Sequence, residues 1–400
     1  MFNRLRATFP HYFSKHPSHE LRELYLSVGV MDFATSAVAL FEPIYLYTRG
    51  YGIARILLFY AVVYLLYTVL LPVGGRIAAR LGFEHAIFVS QFFFIGYYLS
   101  LFALPYAPWL IFLSPLIFAI QKSLYWPAYH ADFAIFSARE QRGREVSGLL
   151  TLNALTTVLG PIFGGLVLNF FGFGALFIIV SILFFVSTIP LLKLQEVYDP
   201  KPFTYQSYWK LLWKPSHRRT GVAYWGYGEE LIALTLWPIL TFIAVSKYSE
   251  LGALIAISTL ITSVVALLIG KIVDRYSQQS TLKVGAYLQA IVWFVRAGMA
   301  LTPLRLVCLD AAGRTAKNLV VVPQMAMTYE HGMREDPLAI AVFFEQSLAI
   351  GKLIMAVLVI ILMQFMAWWF AAFIVAGFAS FLYGRLTPPS VLDAPMQTVA

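Results

Sequence analysis

The sequence predicts an all-α membrane protein with twelve transmembrane helices in two pseudo-symmetric six-helix lobes. Hydrophobic residues make up 60% of the 400 residues and charged residues 12%, whereas soluble domains are about 45–50% apolar and about 25% charged. Apolar runs of about 18–25 residues recur between short polar breaks. One long basic loop divides these runs six and six. We therefore expect most of the surface to face lipid.

Twelve apolar runs are expected to span the membrane. They lie near residues 23–47, 55–74, 85–104, 109–131, 148–169, 174–193, 221–245, 251–270, 284–302, 306–328, 338–363 and 366–386. The breaks carry turn-forming residues, as in Arg49-Gly50-Tyr51-Gly52 and Gly172-Phe173-Gly174. The N-terminal segment lacks the pattern of a cleavable signal peptide, so the first run is expected to remain as a helix.

The distribution of basic residues predicts the orientation. With the N-terminus inside, the inner segments hold 20 of the 29 Lys and Arg residues and the outer loops hold four. Basic residues concentrate in cytoplasmic loops, so both termini are expected in the cytoplasm, in a cell (inner) membrane. The same rule accounts for the net charge of +9 without a nucleic-acid partner.

The loop over residues 194–220 is longer and more basic than the other connections. It predicts an N-terminal lobe over residues 1–193, a cytoplasmic linker and a C-terminal lobe over residues 221–400. The stretch Gln206–Trp213 within it combines tryptophans with a lysine, which favours a short helix on the inner leaflet.

The two halves repeat each other at an offset of 195 residues. Gly75-Arg76-Ile77-Ala78-Ala79-Arg80 matches Gly270-Lys271-Ile272-Val273-Asp274-Arg275, and Lys122 matches Lys317. These segments resemble the loop signature of the major facilitator superfamily, a Gly followed by Asp-Arg, although Ala79 replaces the acid in the first copy. Gly160-Pro161 in the fifth span looks like the core of that family's antiporter motif.

The resemblance implies two lobes around a central cavity lined by spans 1, 4, 7 and 10. It also implies gating roles for the motif residues, namely Gly75, Arg80, Gly160, Pro161, Gly270, Asp274 and Arg275.

Charged residues inside the predicted spans are the candidate functional residues, because each costs about 2.5–3.5 kcal/mol at the centre of a membrane helix. They are Asp32, Glu42, Lys122, Glu229, Glu230, Arg296, Asp310, Arg314, Lys317, Glu345 and Lys352. Most fall on the spans that the resemblance places at the cavity. Asp32 has no basic neighbour on its own helix and is the first candidate proton carrier, with Glu42, Glu229 and Glu230 as further candidates.

Basic and aromatic residues of the fourth and tenth spans are the candidate substrate-binding set. Asp310 lies one turn before Arg314 and is expected to neutralise it, which would leave Lys317 as the free cation. We expect Lys122, Arg314 and Lys317 to attract an anionic or zwitterionic substrate. The aromatic residues near Lys122 are expected to stack on the substrate or make cation–π contacts, and they are Tyr125, Trp126 and Tyr129.

Structural roles compete with functional ones for several of these residues. Asp310–Arg314 is equally consistent with a structural ion pair. Glu345 with Lys352 at i, i+7 is consistent with a role restricted to holding the second lobe together. Arg296 is expected to pack or snorkel, and His130 is expected at a solvated edge.

No enzyme, cofactor or metal site is expected. The sequence has no phosphate loop and no clustered Cys/His pattern, and its single cysteine, Cys308, excludes an intrachain disulfide. The H-x4-D pattern over residues 331–336 is attributed to chance.

We expect a monomeric, proton-coupled secondary transporter of a small organic solute, with export by antiport favoured by Gly160-Pro161. The alternative is a membrane sensor or assembly partner that does not transport, which Ala79 favours.

Overall fold

The computed structural model of the chain describes residues 19–137, 143–191, 205–273, 277–299 and 302–386. These residues form helices and short turns, and no β-strand occurs among them. The first half contains α1 to α6: His19–Ala39, Glu42–Thr48, Ile53–Leu81, Phe83–Ala103, Leu110–Ser137 and Gly143–Leu191. The linker contributes α7, Tyr205–Trp213. The second half contains α8 to α14: Arg218–Tyr224, Gly228–Val245, Tyr248–Val273, Gln278–Gly298, Pro303–Arg334, Pro337–Leu362 and Trp368–Ser380.

Two breaks in helical geometry explain why the predicted spans and these helices do not correspond one to one. The first span contains both α1 and α2, which are separated at Leu40 and Phe41, and Pro43 lies in the first turn of α2. In α6, which is 49 residues long, Gly172 has a φ of +76° that interrupts the helix. Glycine adopts this conformation without the steric penalty that other residues meet. The bend occurs at the predicted turn between the fifth and sixth spans.

Nine helices in the described residues are long and apolar enough to cross a membrane, fewer than the twelve predicted. One of these candidate spans, Leu152–Ile189, contains the Gly172 bend and so includes both arms of α6. The long helices α11 and α12 are not among the nine, since charged and amide side chains lower their hydropathy. The prediction of an all-α, multi-pass membrane protein is confirmed.

Small residues allow the close contacts that α6 makes with α1 on one side and α10 on the other. A Cβ atom added to Gly164 would lie 2.0 Å from the carbonyl oxygen of Ala37 in α1. A Cβ atom added to Gly252 in α10 would lie 2.2 Å from the carbonyl oxygen of Pro161. These backbone approaches need small side chains.

A further contact between the halves is made by α13, which packs against α3 and α5. The linker helix α7 confirms the short helix predicted after residue 205, and it contacts both α3 and α13. On the outside of the bundle, large apolar side chains are exposed, such as Phe112 at 83% and Phe170 at 71%. Soluble monomers rarely expose much apolar surface of this kind, so these side chains are suited to lipid contact.

Candidate functional site

Glu229, in the first turn of α9, is fully buried and is surrounded by four hydrogen-bond donors. Its carboxylate accepts from Lys317 Nζ at 2.6 Å and from Trp293 Nε1 at 2.9 Å. It also accepts from Gln289 Nε2 and from Tyr383 Oη, each at 3.0 Å. A buried carboxylate is stabilised when its lone pairs are satisfied in this way.

The prediction that Lys317 is a free cation is wrong. Its ammonium forms the ion pair with Glu229, donates to Tyr383 Oη at 2.7 Å and lies 4.3 Å from the ring centroid of Tyr227. Spacing along α12 does not reveal these partners, because they come from other elements of the second half.

Asp310 and Arg314 form the predicted i, i+4 ion pair, with Arg314 Nε 2.6 Å from Asp310 Oδ2. The other carboxylate oxygen of Asp310 accepts a hydrogen bond from Trp237 Nε1 at 2.9 Å. Arg296 is buried, and its guanidinium lies 4.0 Å from the ring centroid of Trp237 and 4.4 Å from that of Trp293. The packing role expected for Arg296 is therefore confirmed.

Glu230 points away from Glu229, as their adjacent positions on a helix predict. It forms an ion pair with Lys352 of α13, whose Nζ lies 3.1 Å from the carboxylate. The same ammonium lies 5.1 Å from the ring centroid of Tyr64 in α3. Through Lys352, a carboxylate of the second half is thus held next to an aromatic residue of the first half.

Glu345 connects the two halves directly. His130 Nε2 of α5 lies 2.9 Å from its carboxylate, and Tyr67 Oη of α3 donates to it at 2.7 Å. His130 Nδ1 lies 3.0 Å from Tyr329 Oη of α12. The prediction that His130 is solvated is wrong, because α5 continues to Ser137 and packs its last turns against α12 and α13.

Lys122 is partly buried and differs from Lys317 and Lys352 in its contacts. Its Nζ lies 4.5 Å from the ring centroid of Phe118, and none of the described residues places a carboxylate oxygen within 4.0 Å of it. The aromatic residues predicted to surround it contact one another instead. Tyr125 and Tyr129 stack with centroids 5.7 Å apart, and Trp126 stacks on the imidazole of His130 at 5.5 Å.

Asp32 and Glu42 have neutral hydrogen-bond partners in the first half. Asp32 is half-buried, and its Oδ2 accepts from Asn153 Nδ2 of α6 at 2.9 Å. Glu42 is buried at the start of α2 and accepts from Tyr60 Oη at 2.7 Å and Tyr98 Oη at 3.3 Å. Spacing along one helix does not reveal the partner of Asp32, because Asn153 lies 121 positions away in the sequence.

The motif residues occupy different environments. Gly75 is buried near the end of α3, and Arg80 is exposed in its last turn. The closest approach there involves Gly74, where a Cβ atom would lie 1.9 Å from the carbonyl oxygen of Ser123. Gly270 belongs to α10. Asp274 and Arg275 lie outside the described residues.

Comparison with known proteins gives the family. The sequence model of the Major Facilitator Superfamily matches residues 24–313, and the chain belongs to this superfamily. It is a membrane transporter and not an enzyme. A search of curated proteins finds no significant match.

Two solved structures share the fold. One is a bacterial homologue of the human drug peptide transporters PepT1 and PepT2, with a TM-score of 0.67, 11% identity, and coverage of 92% of this chain and 96% of that chain. The other comes from a study of substrate recognition in proton dependent oligopeptide transporters, with a TM-score of 0.64, 12% identity, and coverage of 92% and 97%. At these identities the likeness concerns the fold.

Proposed function

We propose that the chain is a twelve-helix secondary transporter that moves a small organic solute by alternating access and couples this movement to protons. Its lobes would be residues 1–193 and 221–400, joined by the linker 194–220. The bend in α6 and the length of α11 and α12 support twelve spans, although only nine helices of the described residues are both long and apolar enough to cross a membrane. We place the protein in the inner membrane as a monomer with both termini in the cytoplasm. Export by antiport is the favoured direction.

The observation that carries proton coupling is the contact of Glu345 with His130 and Tyr67. Glu345 belongs to one half, and both partners belong to the other. A carboxylate and an imidazole both change charge on protonation, so the attraction between the halves depends on which of them carries the proton. Rocking of the lobes requires this contact to break and reform, which links proton binding to the conformational equilibrium.

Asp32 is the proposed proton carrier. Its partner Asn153 is neutral, so Asp32 can bind and release a proton without breaking an ion pair. Protonation of Glu229 or Glu230 would instead leave a lysine without its partner. We therefore assign these two carboxylates to secondary roles in coupling. Glu42, whose partners Tyr60 and Tyr98 are neutral, stays a further candidate carrier.

Lys122 is the proposed site for an anionic group of the substrate. Lys317 and Arg314 already have carboxylate partners, whereas Lys122 Nζ lies over the ring of Phe118. Lys317 and Arg314 would contribute only after their pairs open. Along α5 beyond Lys122, Tyr125 and Tyr129 stack on each other and Trp126 lies edge-on to Tyr125. We propose that these rings contact the apolar part of the substrate. This arrangement favours an anionic or zwitterionic organic solute.

Flux measurements test the proposal. The purified protein in proton-tight liposomes that contain a pH-sensitive dye would be challenged with amino acids, dipeptides and organic anions. We expect at least one zwitterionic or anionic compound to change the internal pH, and Lys122→Gln to weaken its apparent affinity. Lys247→Gln, at an exposed lysine before α10, is the matched control. Absence of flux for every compound, with binding retained, would favour the non-transporting sensor suggested by Ala79.

A further inference from the structure

Two histidines and a glutamate meet where α8 begins and α12 ends. His217 closes the short turn Pro215–His217 that precedes α8. His331 lies in the last turn of α12, and Glu335 follows that helix as its C-cap. Their possible ligand atoms all lie within 4.8 Å of one another. None of these three residues is part of the contact of Glu345 with His130 and Tyr67 that joins the two halves.

The distances within this cluster suit a tetrahedral metal ion. His331 Nε2 lies 3.2 Å and His217 Nε2 lies 3.5 Å from the same oxygen of Glu335. In a tetrahedron with metal–ligand bonds of about 2.0–2.2 Å, neighbouring ligands are about 3.3–3.6 Å apart. The i, i+4 spacing of His331 and Glu335 places both on one side of the last turn of α12.

Burial differs among the three residues in a way that fits a binding site. The His217 side chain is 2% exposed, and its ring packs edge-on against Phe343 and stacks against His331, with centroids 5.2 Å away in each case. This packing fixes one ligand in place. Glu335 is 38% exposed, which leaves a path for an ion and a water ligand. Lys214 Nζ lies 3.9 Å from Glu335 and is itself half-exposed, so it can turn into water when a cation takes its place.

We propose that His217 Nε2, His331 Nε2 and a Glu335 carboxylate oxygen bind one divalent transition-metal ion of the Zn²⁺ type, with water as the fourth ligand. Two imidazoles and a carboxylate suit Zn²⁺ and its neighbours, whereas Mg²⁺ and Ca²⁺ prefer oxygen ligands alone. The bound ion would fasten the end of the linker to the turn between α12 and α13. This inference is independent of the proposed transport function, because its test reads metal binding and not flux.

Titration of the tag-free, full-length protein with Co²⁺ tests the proposal, because tetrahedral Co²⁺ absorbs visible light strongly. We expect one Co²⁺ per chain, displaced by Zn²⁺. His331→Ala and Glu335→Gln should each weaken binding by about tenfold or more, since even loss of an outer-shell partner costs that much. These two side chains are not buried, so both variants should fold even if His217→Gln, at the buried histidine, does not. His85→Ala, at an exposed histidine near the start of α4, is the control. Binding that is absent in the wild type, or that survives in both variants, would overturn the proposal.

Discussion

Glu345 of α13 and His130 of α5 lie 2.9 Å apart and join the two halves of the chain. Both side chains are buried, and Tyr67 Oη donates to the same carboxylate from α3. A single carboxylate therefore contacts two different helices of the other half. Any motion that separates the halves here must replace these contacts with water or substrate.

Glu345→Gln should weaken this connection, since an amide keeps the shape but loses the charge. A hydrogen bond to a charged group contributes about 1.5–3 kcal/mol, which corresponds to about tenfold or more in the equilibrium between joined and separated halves. We expect proton-driven accumulation to fall and its dependence on pH to flatten, measured in proteoliposomes. Glu330→Gln, at an exposed glutamate of α12, should leave both unchanged. Identical pH profiles for Glu345→Gln and wild type would remove Glu345 from the coupling mechanism.

Asp32→Asn should abolish proton-driven accumulation while preserving part of the substrate exchange. The amide mimics the protonated carboxyl group and can still face Asn153. Uptake under a proton gradient and exchange at equal pH, measured on the same liposomes, separate the two activities. Glu250→Gln, at an exposed glutamate that pairs only with Lys247 among the described residues, is the control. Normal accumulation by the Asn variant would mean that the carrier is another carboxylate.

Glu229→Gln should destabilise the protein strongly, because it leaves Lys317 partly buried without its carboxylate. Breaking a buried pair costs about 3–5 kcal/mol, whereas removing both charges costs less. The double variant Glu229→Gln/Lys317→Met should therefore unfold at a higher temperature than Glu229→Gln alone. The pair Arg334–Glu330 has the same 2.6 Å separation but is exposed, so Glu330→Gln should change stability by about 0–1 kcal/mol. Equal losses for the buried and exposed variants would contradict a structural role for the Glu229 pair.

Gly164→Ala should separate α1 from α6, since the new methyl group would lie 2.0 Å from a backbone oxygen. Overpacking of this kind costs about 1–3 kcal/mol. Thermal unfolding of the purified variant should show a lower midpoint than the wild type. Gly52→Ala is the matched control, because a Cβ atom there meets nothing within 4 Å. An unchanged midpoint for Gly164→Ala would mean that the two helices can move apart at this position without a loss of stability.

The sequence was sufficient to predict the structure where the signal lies within one short segment. Apolar runs predicted the helices, the turn at Gly172 predicted the bend in α6, and i, i+4 spacing predicted the Asp310–Arg314 pair. It was insufficient where partners come from distant segments. The partners of Lys317, Asp32 and His130 depend on which helices pack together, and no single-helix pattern carries that information.

The polarity of α12 has a consequence for biogenesis. Each charged side chain costs about 2.5–3.5 kcal/mol at the centre of a membrane helix, and α12 carries Asp310, Arg314 and Lys317. Of these, Lys317 finds its carboxylate on α9. Because α9 leaves the ribosome before α12, we expect it to wait beside the translocon and to accompany α12 into the lipid. A glycosylation reporter placed after α12 should therefore show less efficient insertion when Glu229 is replaced by leucine, although leucine makes α9 itself more apolar.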